Sequence, residues 1–199
     1  MTGPTTPAHR PTRADAVRNR ARVLDAGAAA FAEHGAEAQM DDVAARAGVG
    51  VGTVYRHFET KGALFEALLL DRIAEALASA REAAAAPDPW EGFTAVLRRA
   101  AEMQAADRGF QGLIAAGAGD SERVREAKAE LHAQVAAIMS RAQESGELRA
   151  DVSLDDVPNL MCGLAGVVGS SDRESWERYV GIVLDGLRAP RATPLPGAA

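Results

Sequence analysis

Five side chains that can bind a phosphate backbone fall within one short segment, between positions 53 and 61. They are Thr53, Tyr55, Arg56, His57 and Lys61. Hydroxyl, phenol, guanidinium, imidazole and ammonium groups all donate hydrogen bonds to phosphate oxygens, and the cationic groups also attract them. This combination favours contact with a polyanion such as DNA over catalysis of a reaction.

The elements that must position these side chains are two short helices joined by a tight turn, over residues 39–62. Asp41 and Asp42 fall in the first turn of the first helix, where the helix macrodipole favours acidic groups. Gly48 can adopt the left-handed conformation that ends a helix. The second helix is predicted from about 51 to 58. Such a pair forms a helix-turn-helix, whose second helix enters the major groove of DNA.

The segment QMDDVAARAGVGVGTVYRHFETKG at 39–62 resembles the DNA-binding domain of the TetR family of one-component transcriptional regulators. The likeness continues upstream through ARVLDAGAAAFAEHGAEA and downstream through ALFEALL. The rest of the chain is similar to the family only in length and helical character. The resemblance implies a DNA-binding protein that pairs two subunits and carries an effector pocket in its C-terminal part.

Three positions depart from the usual pattern of the family. Gln39 stands where the family usually has Thr or Ser, Gly50 where it often has Ser, and Val51 where a polar or basic residue is common. Val51 can still contact a thymine methyl group, and Gly52 lets the backbone approach DNA closely. The predicted DNA-binding surface comprises Gln39, Gly50, Val51, Gly52, Thr53, Tyr55, Arg56, His57 and Lys61.

Hydrophobic periodicity along the chain predicts an all-α fold with nine helices and no strands, which matches the architecture of the TetR family. Three helices form an N-terminal helix-turn-helix domain at 12–62. Six form a C-terminal helical domain for effector binding and dimerisation at 63–189, including a short apolar piece at 110–118. The Pro-containing ends at 1–11 and 190–199 are predicted to be a disordered arm and a disordered tail.

The net charge of −6 is unusual for a DNA-binding protein, but its distribution explains it. Residues 1–62 carry eight Lys or Arg and seven Asp or Glu, whereas residues 63–199 carry fourteen and twenty-one. DNA repels acidic surfaces, so the near-neutral N-terminal part is predicted to be the end that docks.

The effector pocket implied by the resemblance is expected to bind an apolar or weakly polar small molecule, because few charged residues lie on the predicted inward faces. Methionine side chains adapt to irregular cavities. Packing in the core is the alternative role for each candidate. The candidate lining residues are Phe93, Leu97, Met103, Phe110, His132, Met139 and Met161.

The resemblance implies that two subunits pair through the last two helices, predicted at 155–169 and 173–187. Three glycines at 163, 166 and 169 allow close approach of another helix. The first of these helices is apolar nearly all round, so both of its sides must be covered. A wholly internal core helix is the alternative. The predicted interface comprises Leu160, Leu164, Gly166, Val167, Val168, Val180 and Leu184.

Signals for catalysis, metal binding and membrane insertion are weak. The four histidines lack metal-ligand spacing, and there is no G-x-S-x-G motif or Gly-rich phosphate loop. The single cysteine, Cys162, cannot form an internal disulfide, and no apolar run approaches the ~20 residues that span a membrane. We therefore expect a cytoplasmic protein that is not an enzyme, needs no cofactor and no metal, and contacts no membrane.

Two functions follow from these observations. The favoured one is a transcriptional repressor that binds a palindromic operator in double-stranded DNA as a homodimer and is released by a small-molecule ligand. The alternative is a helical small-molecule-binding protein with little sequence-specific DNA binding. Gln39, Gly50 and Val51 leave few hydrogen-bonding groups on the helix-turn-helix domain at 12–62, which we call the reading head.

Overall fold

The computed structural model describes residues 13–106, 119–168 and 173–189, together with Thr193 and Leu195. Over these residues the chain folds into eight α-helices without a strand, which confirms the all-α prediction. The ninth predicted helix, at 110–118, lies outside the described residues, as do the arm at 1–11 and most of the tail at 190–199. The helices are α1 Arg13–His34, α2 Met40–Ala47, α3 Val51–His57, α4 Lys61–Ala84, α5 Pro89–Ala106, α6 Glu122–Glu144, α7 Asp156–Val168 and α8 Arg173–Leu187.

Local side chains determine where several helices begin. The Thr60 hydroxyl accepts a hydrogen bond from the Ala63 amide at 3.0 Å, and this caps α4. The Ser121 hydroxyl accepts one from Val124 at 3.3 Å and caps α6 in the same way. Such caps satisfy backbone N–H groups that have no partner inside the helix. Each of these two helices therefore starts at a position that its own sequence specifies.

The N-terminal helices pack around a first hydrophobic core, which we call the head core. It draws buried side chains from α1, α2, α3 and the first half of α4. Phe31 and Phe65 meet edge to face at its centre, with ring centroids 5.5 Å apart and planes at 77°. Aromatic pairs prefer this geometry because the positive edge of one ring faces the negative face of the other. The head core therefore holds the two short helices against two long ones.

A second hydrophobic core, the body core, lies among α5, α6, α7, α8 and the end of α4. Phe93, Leu97 and Ile138 are among its most deeply buried side chains. Close packing is needed at Gly92, where an added Cβ atom would lie 2.6 Å from the carbonyl oxygen of Ala83. The crossing of α4 and α5 therefore requires a residue without a side chain.

Helix α4 belongs to both cores. Its side chains from Leu64 to Ile73 lie in the head core, whereas Ala80 and Ala83 lie in the body core. Helix α6 makes a second connection, because Val124 at its start is fully buried in the head core. The two long helices α4 and α6 thus connect the helices around the head core (the head) with the helices around the body core (the body).

The segment after α8 is tied to the connection between α6 and α7. Leu148 and Arg188 form an isolated antiparallel bridge, and Arg149 is buried beside it. The Arg149 guanidinium donates to both carboxylate oxygens of Asp151, at 2.5 and 2.8 Å, and to the carbonyl oxygens of Gly186 and Thr193. This cluster of hydrogen bonds, which we call the Arg149 clamp, fixes the end of α8.

No helix in the described ranges is long and apolar enough to cross a membrane.

Candidate nucleic-acid interface and effector cavity

The turn between α2 and α3 has the backbone geometry that a helix-turn-helix needs. Gly48 ends α2 in the left-handed conformation, with φ 62° and ψ 39°, as the sequence predicted. Arg22 of α1 donates a hydrogen bond to the Gly48 carbonyl at 3.4 Å. Val49 packs against the head core and anchors the turn from inside. Helix α3 is thereby directed away from α2 with one face free.

Helix α3 has one buried face and one exposed face. Val54 is fully buried, and Phe58, the residue that follows the helix, is 5% exposed. By contrast, Val51 is 40% exposed and Tyr55 is 48% exposed, although both are large apolar or aromatic residues. Side chains of this kind normally bury most of their surface. Their exposure on a short helix suits contact with another molecule.

Gly50 and Gly52 are glycines that the fold itself does not require. Neither has a positive φ angle, and a Cβ atom added at either position would meet no atom within 4 Å. Glycine within a helix costs up to about 1 kcal/mol relative to alanine because it loses more backbone entropy. The open space above both residues allows an outside molecule to approach the backbone closely.

Arg56 and Thr53 bond to each other rather than pointing outward. The Arg56 guanidinium donates to the Thr53 hydroxyl at 2.9 Å and to the Gly52 carbonyl at 3.3 Å. Both residues stay near the exposed face of α3, but their donors are partly used within the helix. A contact with DNA would have to share or exchange these hydrogen bonds.

Lys61 and Gln39 both bond to the loop between α1 and α2. The Lys61 ammonium donates to the carbonyl oxygens of Ala36 at 2.7 Å and Ala38 at 3.2 Å. The Gln39 amide donates to the Glu37 carbonyl at 2.9 Å and leaves the start of α2 without a side-chain cap. An ammonium has three donors, so Lys61 can hold this loop and still offer one hydrogen bond to a phosphate.

Two arginines of α1 lie beside the reading head, although no motif in the sequence marks them as part of it. The Arg20 guanidinium lies 5.3 Å from the centre of the Phe58 ring, and Arg22 reaches the end of α2. His57 is half-buried next to Phe58. No local pattern could reveal these neighbours, because Arg22 lies 26 residues before Gly48 and Arg20 lies even further from Phe58 along the chain.

An ion pair fixes α2 against α1. Arg46 of α2 bonds to the Glu33 carboxylate of α1. The hydrogen bond from Arg46 and then its positive charge lower the pKa of Glu33 below its ordinary value. Both side chains are well exposed, so this pair orients the helices more than it stabilises them.

The body contains a cavity of about 320 Å³ between α4, α5, α6 and the start of α7. Three of the predicted lining residues, Met103, His132 and Met161, do line it. Its wall is mostly apolar, but Arg72, Arg99 and Asp155 also reach it. These three are the only charged residues among the lining residues that the structure describes, and periodicity did not reveal them because it does not show which long side chains turn into a space between helices.

Four other pocket predictions have different outcomes. Phe93, Leu97 and Met139 do not line this cavity; they are at most 4% exposed and lie in the body core. Their apolar spacing marked an inward face without distinguishing solid packing from a cavity wall. Phe110 lies outside the described residues.

No cluster of three or more potential metal ligands occurs in the part of the chain that the structure describes.

Comparison with known proteins identifies the family. Residues 23–68 match the model of bacterial regulatory proteins of the tetR family, and residues 88–189 match the C-terminal domain of SbtR-like transcriptional regulators. The chain belongs to the TetR family. It is therefore a DNA-binding transcriptional regulator, as the sequence predicted.

Solved structures of other TetR-family regulators resemble this one along nearly their whole length. A TetR transcription regulatory protein from Mycobacterium vanbaalenii is 38% identical, with a TM-score of 0.64 over 88% of this chain and 98% of that chain. The regulator SCO0520 from Streptomyces coelicolor is 31% identical, with a TM-score of 0.64 over 86% and 99%. FadR from Bacillus subtilis, solved with stearoyl-CoA, shares the fold at 17% identity, with a TM-score of 0.66 over 84% and 96%. No curated protein matches the chain.

The predicted dimer residues of this TetR-family protein differ in how much of their surface is available. Leu164, Val180 and Leu184 are at most 9% exposed and lie in the chain's own body core, which leaves little of their surface for a partner. Leu160 packs partly against the same core. Gly166, Val167 and Val168 lie within α7, but their surroundings are outside the described part of the structure. The regular apolar spacing of α7 and α8 marked the face that the subunit itself covers.

A different apolar surface remains exposed on α8. Tyr179 is 37% exposed and Ile182 is 56% exposed, one helical turn apart. Gly163 of α7 and Gly186 of α8 are exposed as well, and a Cβ atom added at either would meet no atom within 4 Å. Gly186 lies one helical turn from Ile182, and an open glycine near an exposed apolar side chain allows another helix to approach closely.

Proposed function

We propose that this regulator is a repressor that binds a palindromic operator as a homodimer and leaves it when a small molecule enters the cavity. The observation that carries the proposal is the double role of α4. One helix supplies side chains to the head core and also Arg72, Ile73 and Ala76 to the cavity wall. A ligand that moves this wall must also act on the helix that supports the reading head.

The distance between the two ends of this connection is short. Lys61, the first residue of α4, holds the loop before α2, and Arg72 lies eleven residues further along the helix. At 1.5 Å per residue this is about 16 Å. A displacement of α4 at the cavity can therefore move its first turn as well, because the helix is rigid over this length. The cores packed on both sides change between discrete arrangements rather than deforming continuously, so they do not absorb the displacement.

Helix α6 supports a second connection. Val124 is buried in the head core, and Leu131, seven residues further, touches both cores and lines the cavity. A ligand contacting Leu131 therefore acts on both helices that join the head to the body. Release from DNA requires that the ligand bind more tightly to the arrangement in which the two heads no longer fit the operator.

Dimerisation supplies specificity that one recognition helix lacks. Helix α3 has only seven residues and reads a few base pairs. Two heads on one palindrome bind in tandem, and the second contact becomes intramolecular. We propose that Tyr179, Ile182, Gly163 and Gly186 lie in the dimer interface, with the predicted Gly166, Val167 and Val168 beside them.

The DNA surface that we propose combines the residues assigned from the sequence with Arg20 and Arg22. Val51, Gly52 and Tyr55 face the bases and nearby backbone, because they lie on the exposed face of α3. Lys61 and Gln39 lie where the family is expected to contact phosphates. The FadR structure with stearoyl-CoA supports the other half of the proposal, since it shows that this fold can hold a ligand with a long acyl chain.

Selection of bound duplexes from a random DNA pool, using the full chain, tests the proposal. We expect enrichment of an inverted repeat whose half-site centres are about one helical turn, 34 Å, or a multiple of it apart. The Gly52→Val variant serves as the matched control and should enrich no sequence. Enrichment of a single unrepeated site would contradict the dimeric operator, and enrichment of nothing would contradict specific binding altogether.

One observation favours the second candidate function, a helical small-molecule-binding protein with little sequence-specific DNA binding. Arg56 and Thr53 bond to each other, and Val51 and the two neighbouring glycines bring no side-chain donor to the start of α3. If this candidate is correct, the protein will bind DNA weakly, with a salt dependence set by phosphate contacts alone, and will not prefer any sequence.

A further inference from the structure

We propose that the cavity binds an amphipathic anion: an apolar body of modest size with a carboxylate, or a similar small anionic group, at one end. The arginines Arg72 and Arg99 would hold the anionic end. This inference rests on the proposed function only for the ligand's role as effector, because binding itself can be measured without DNA.

The two arginines come from different helices and line one cavity. Arg72 lies on α4 and Arg99 on α5, and both line the same space together with Met103 and Val96. Guanidinium groups form paired hydrogen bonds with carboxylates, and an apolar surrounding strengthens them. Two such groups on a mainly apolar wall match an anion attached to an apolar body.

Burial makes Arg72 a favourable anchor. It is half-buried, and the loss of water around it lowers the pKa of its guanidinium, an effect that Glu75 partly opposes. Arg72 still remains charged at neutral pH because the ordinary pKa of a guanidinium is so high. A charge-assisted hydrogen bond is stronger in such a partly apolar surrounding than in water, so a half-buried guanidinium can hold an anion more firmly than an exposed one.

Two carboxylates beside Arg99 could compete with the ligand, but they lie outside the cavity. Glu75 lies 3.6 Å and Glu102 3.4 Å from Arg99, but their side chains are 66% and 49% exposed and neither lines the cavity. Water screens such exposed pairs, so a ligand can exchange with them at little cost. Asp155 is the only acidic residue among the lining residues that the structure describes, and it is exposed.

The size of the cavity limits the apolar part. At about 320 Å³ it lies near the lower end of the range for ligand pockets, which is roughly 300–1,000 Å³. Met103 and Met161, from α5 and α7, can adjust their side chains around an unbranched chain. A medium-length acyl chain fits this space better than a large rigid ring system.

Three probes with the same alkyl chain separate the charge from the apolar body: decanoate, 1-decanol and decyltrimethylammonium. Isothermal titration of each into the full-length protein should show decanoate binding about tenfold or more tighter than the other two, as expected when a charge-assisted hydrogen bond is gained. If decanol binds as tightly as decanoate, the guanidinium groups do not distinguish an anion from a neutral alcohol, and the proposal is wrong. Tighter binding of the ammonium compound, or binding of none of the three, would overturn the proposal.

Matched variants locate the anionic end. Arg72→Met and Arg99→Met keep most of the side-chain volume, and each should weaken decanoate by about tenfold while leaving decanol unchanged. Arg98→Met is the control, because Arg98 neighbours Arg99 on α5 but is exposed and does not line the cavity. Asp155→Asn should strengthen decanoate binding. Circular dichroism confirms folding, and decanoate binding that survives both arginine changes would overturn the assignment.

A second measurement distinguishes this inference from the proposed function. If decanoate binds as expected but the selected operator stays bound in its presence, the chemistry of the cavity stands and release by this ligand is contradicted. If the operator is bound but decanoate is not, the DNA-binding function stands and the inference about the anion is overturned.

Discussion

The Nζ atom of Lys61 lies 2.7 Å from the carbonyl oxygen of Ala36, so the first residue of α4 holds the loop that leads into the helix-turn-helix. A second hydrogen bond, to Ala38, shares the same ammonium. The residue assigned to a phosphate contact is therefore also a structural link between α4 and the reading head.

Lys61→Ala should weaken DNA binding about equally on all sequences and flatten the salt dependence by roughly one unit, because one phosphate contact is lost. It should also lower the free energy of unfolding by about 1–3 kcal/mol, since two hydrogen bonds of roughly 0.5–1.5 kcal/mol each disappear. Filter binding across a salt series and urea unfolding measure these effects. Lys128→Ala on α6 is the control, and unchanged affinity and slope in Lys61→Ala would show that the docking surface lies elsewhere.

Substitutions at Gly52 should separate stability from DNA binding. Gly52→Ala meets no steric hindrance and should stabilise the protein by up to about 1 kcal/mol, because alanine favours the helix. The same change places a methyl group where DNA approaches, so operator affinity should fall. Gly52→Val should abolish specific binding with the helical circular dichroism intact. A variant that is stabilised and binds its operator normally would mean that this end of α3 stays outside the groove.

Ile182→Arg should convert the dimer into monomers. Ile182 is 56% exposed on α8, so the charge costs the isolated subunit little, whereas an interface would bury it without a partner. Sedimentation velocity at micromolar concentration measures the change. Val17→Arg is the matched control, because Val17 is 66% exposed on α1, away from α8. A wild-type monomer, or an Ile182→Arg dimer, would exclude this interface.

The Arg149 clamp should make stability depend on pH in the acidic range. Hydrogen bonds from Arg149 and then from the Leu195 amide hold the pKa of Asp151 well below its ordinary value of 3.8. A carboxylate whose pKa is lower in the folded state stabilises the protein above its unfolded pKa, and that contribution is lost as the pH falls through the folded value.

Asp151→Asn should therefore lower the melting temperature at neutral pH, and the difference from wild type should shrink as the pH falls below about 4. Thermal unfolding followed by circular dichroism across this range measures it. Asp25→Asn, an exposed carboxylate on α1, controls for the removal of one negative charge. A difference that stays constant with pH would show that Asp151 acts through packing and not through its charge.

Alanine substitutions at Gly119 and Gly146 can be compared to test how tightly the segment before α6 packs against α4. Both have φ near 76°, so alanine is strained at either position. A Cβ atom on Gly119 would lie 2.7 Å from Cδ2 of Leu69, whereas one on Gly146 would meet nothing within 4 Å. Gly119→Ala should therefore destabilise the protein by about 1–3 kcal/mol more than Gly146→Ala in urea unfolding. Equal losses would show that the approach to α4 is not tight.

Much of the helical architecture could be predicted from the sequence because its causes are local. Gly48 ends α2 through its left-handed backbone, and Thr60 caps α4 through its own hydroxyl. The helix-turn-helix was recognisable because its turn glycine, apolar anchors and basic side chains lie within one short segment. For the same reason the exposed face of α3 agrees with the prediction: Val54 and Phe58, four residues apart, determine which side turns inward.

What covers an apolar face was decided only by the tertiary structure. Leu164 and Val180 have the apolar spacing expected of an interface, but the subunit's own core buries them, and Ile182 remains outside. Likewise, Arg72 and Arg99 come from helices distant in sequence, and only the packing of α4 against α5 brings both to one cavity. Periodicity determines which residues of a helix share a face, whereas the partner of that face depends on contacts between segments far apart in the chain.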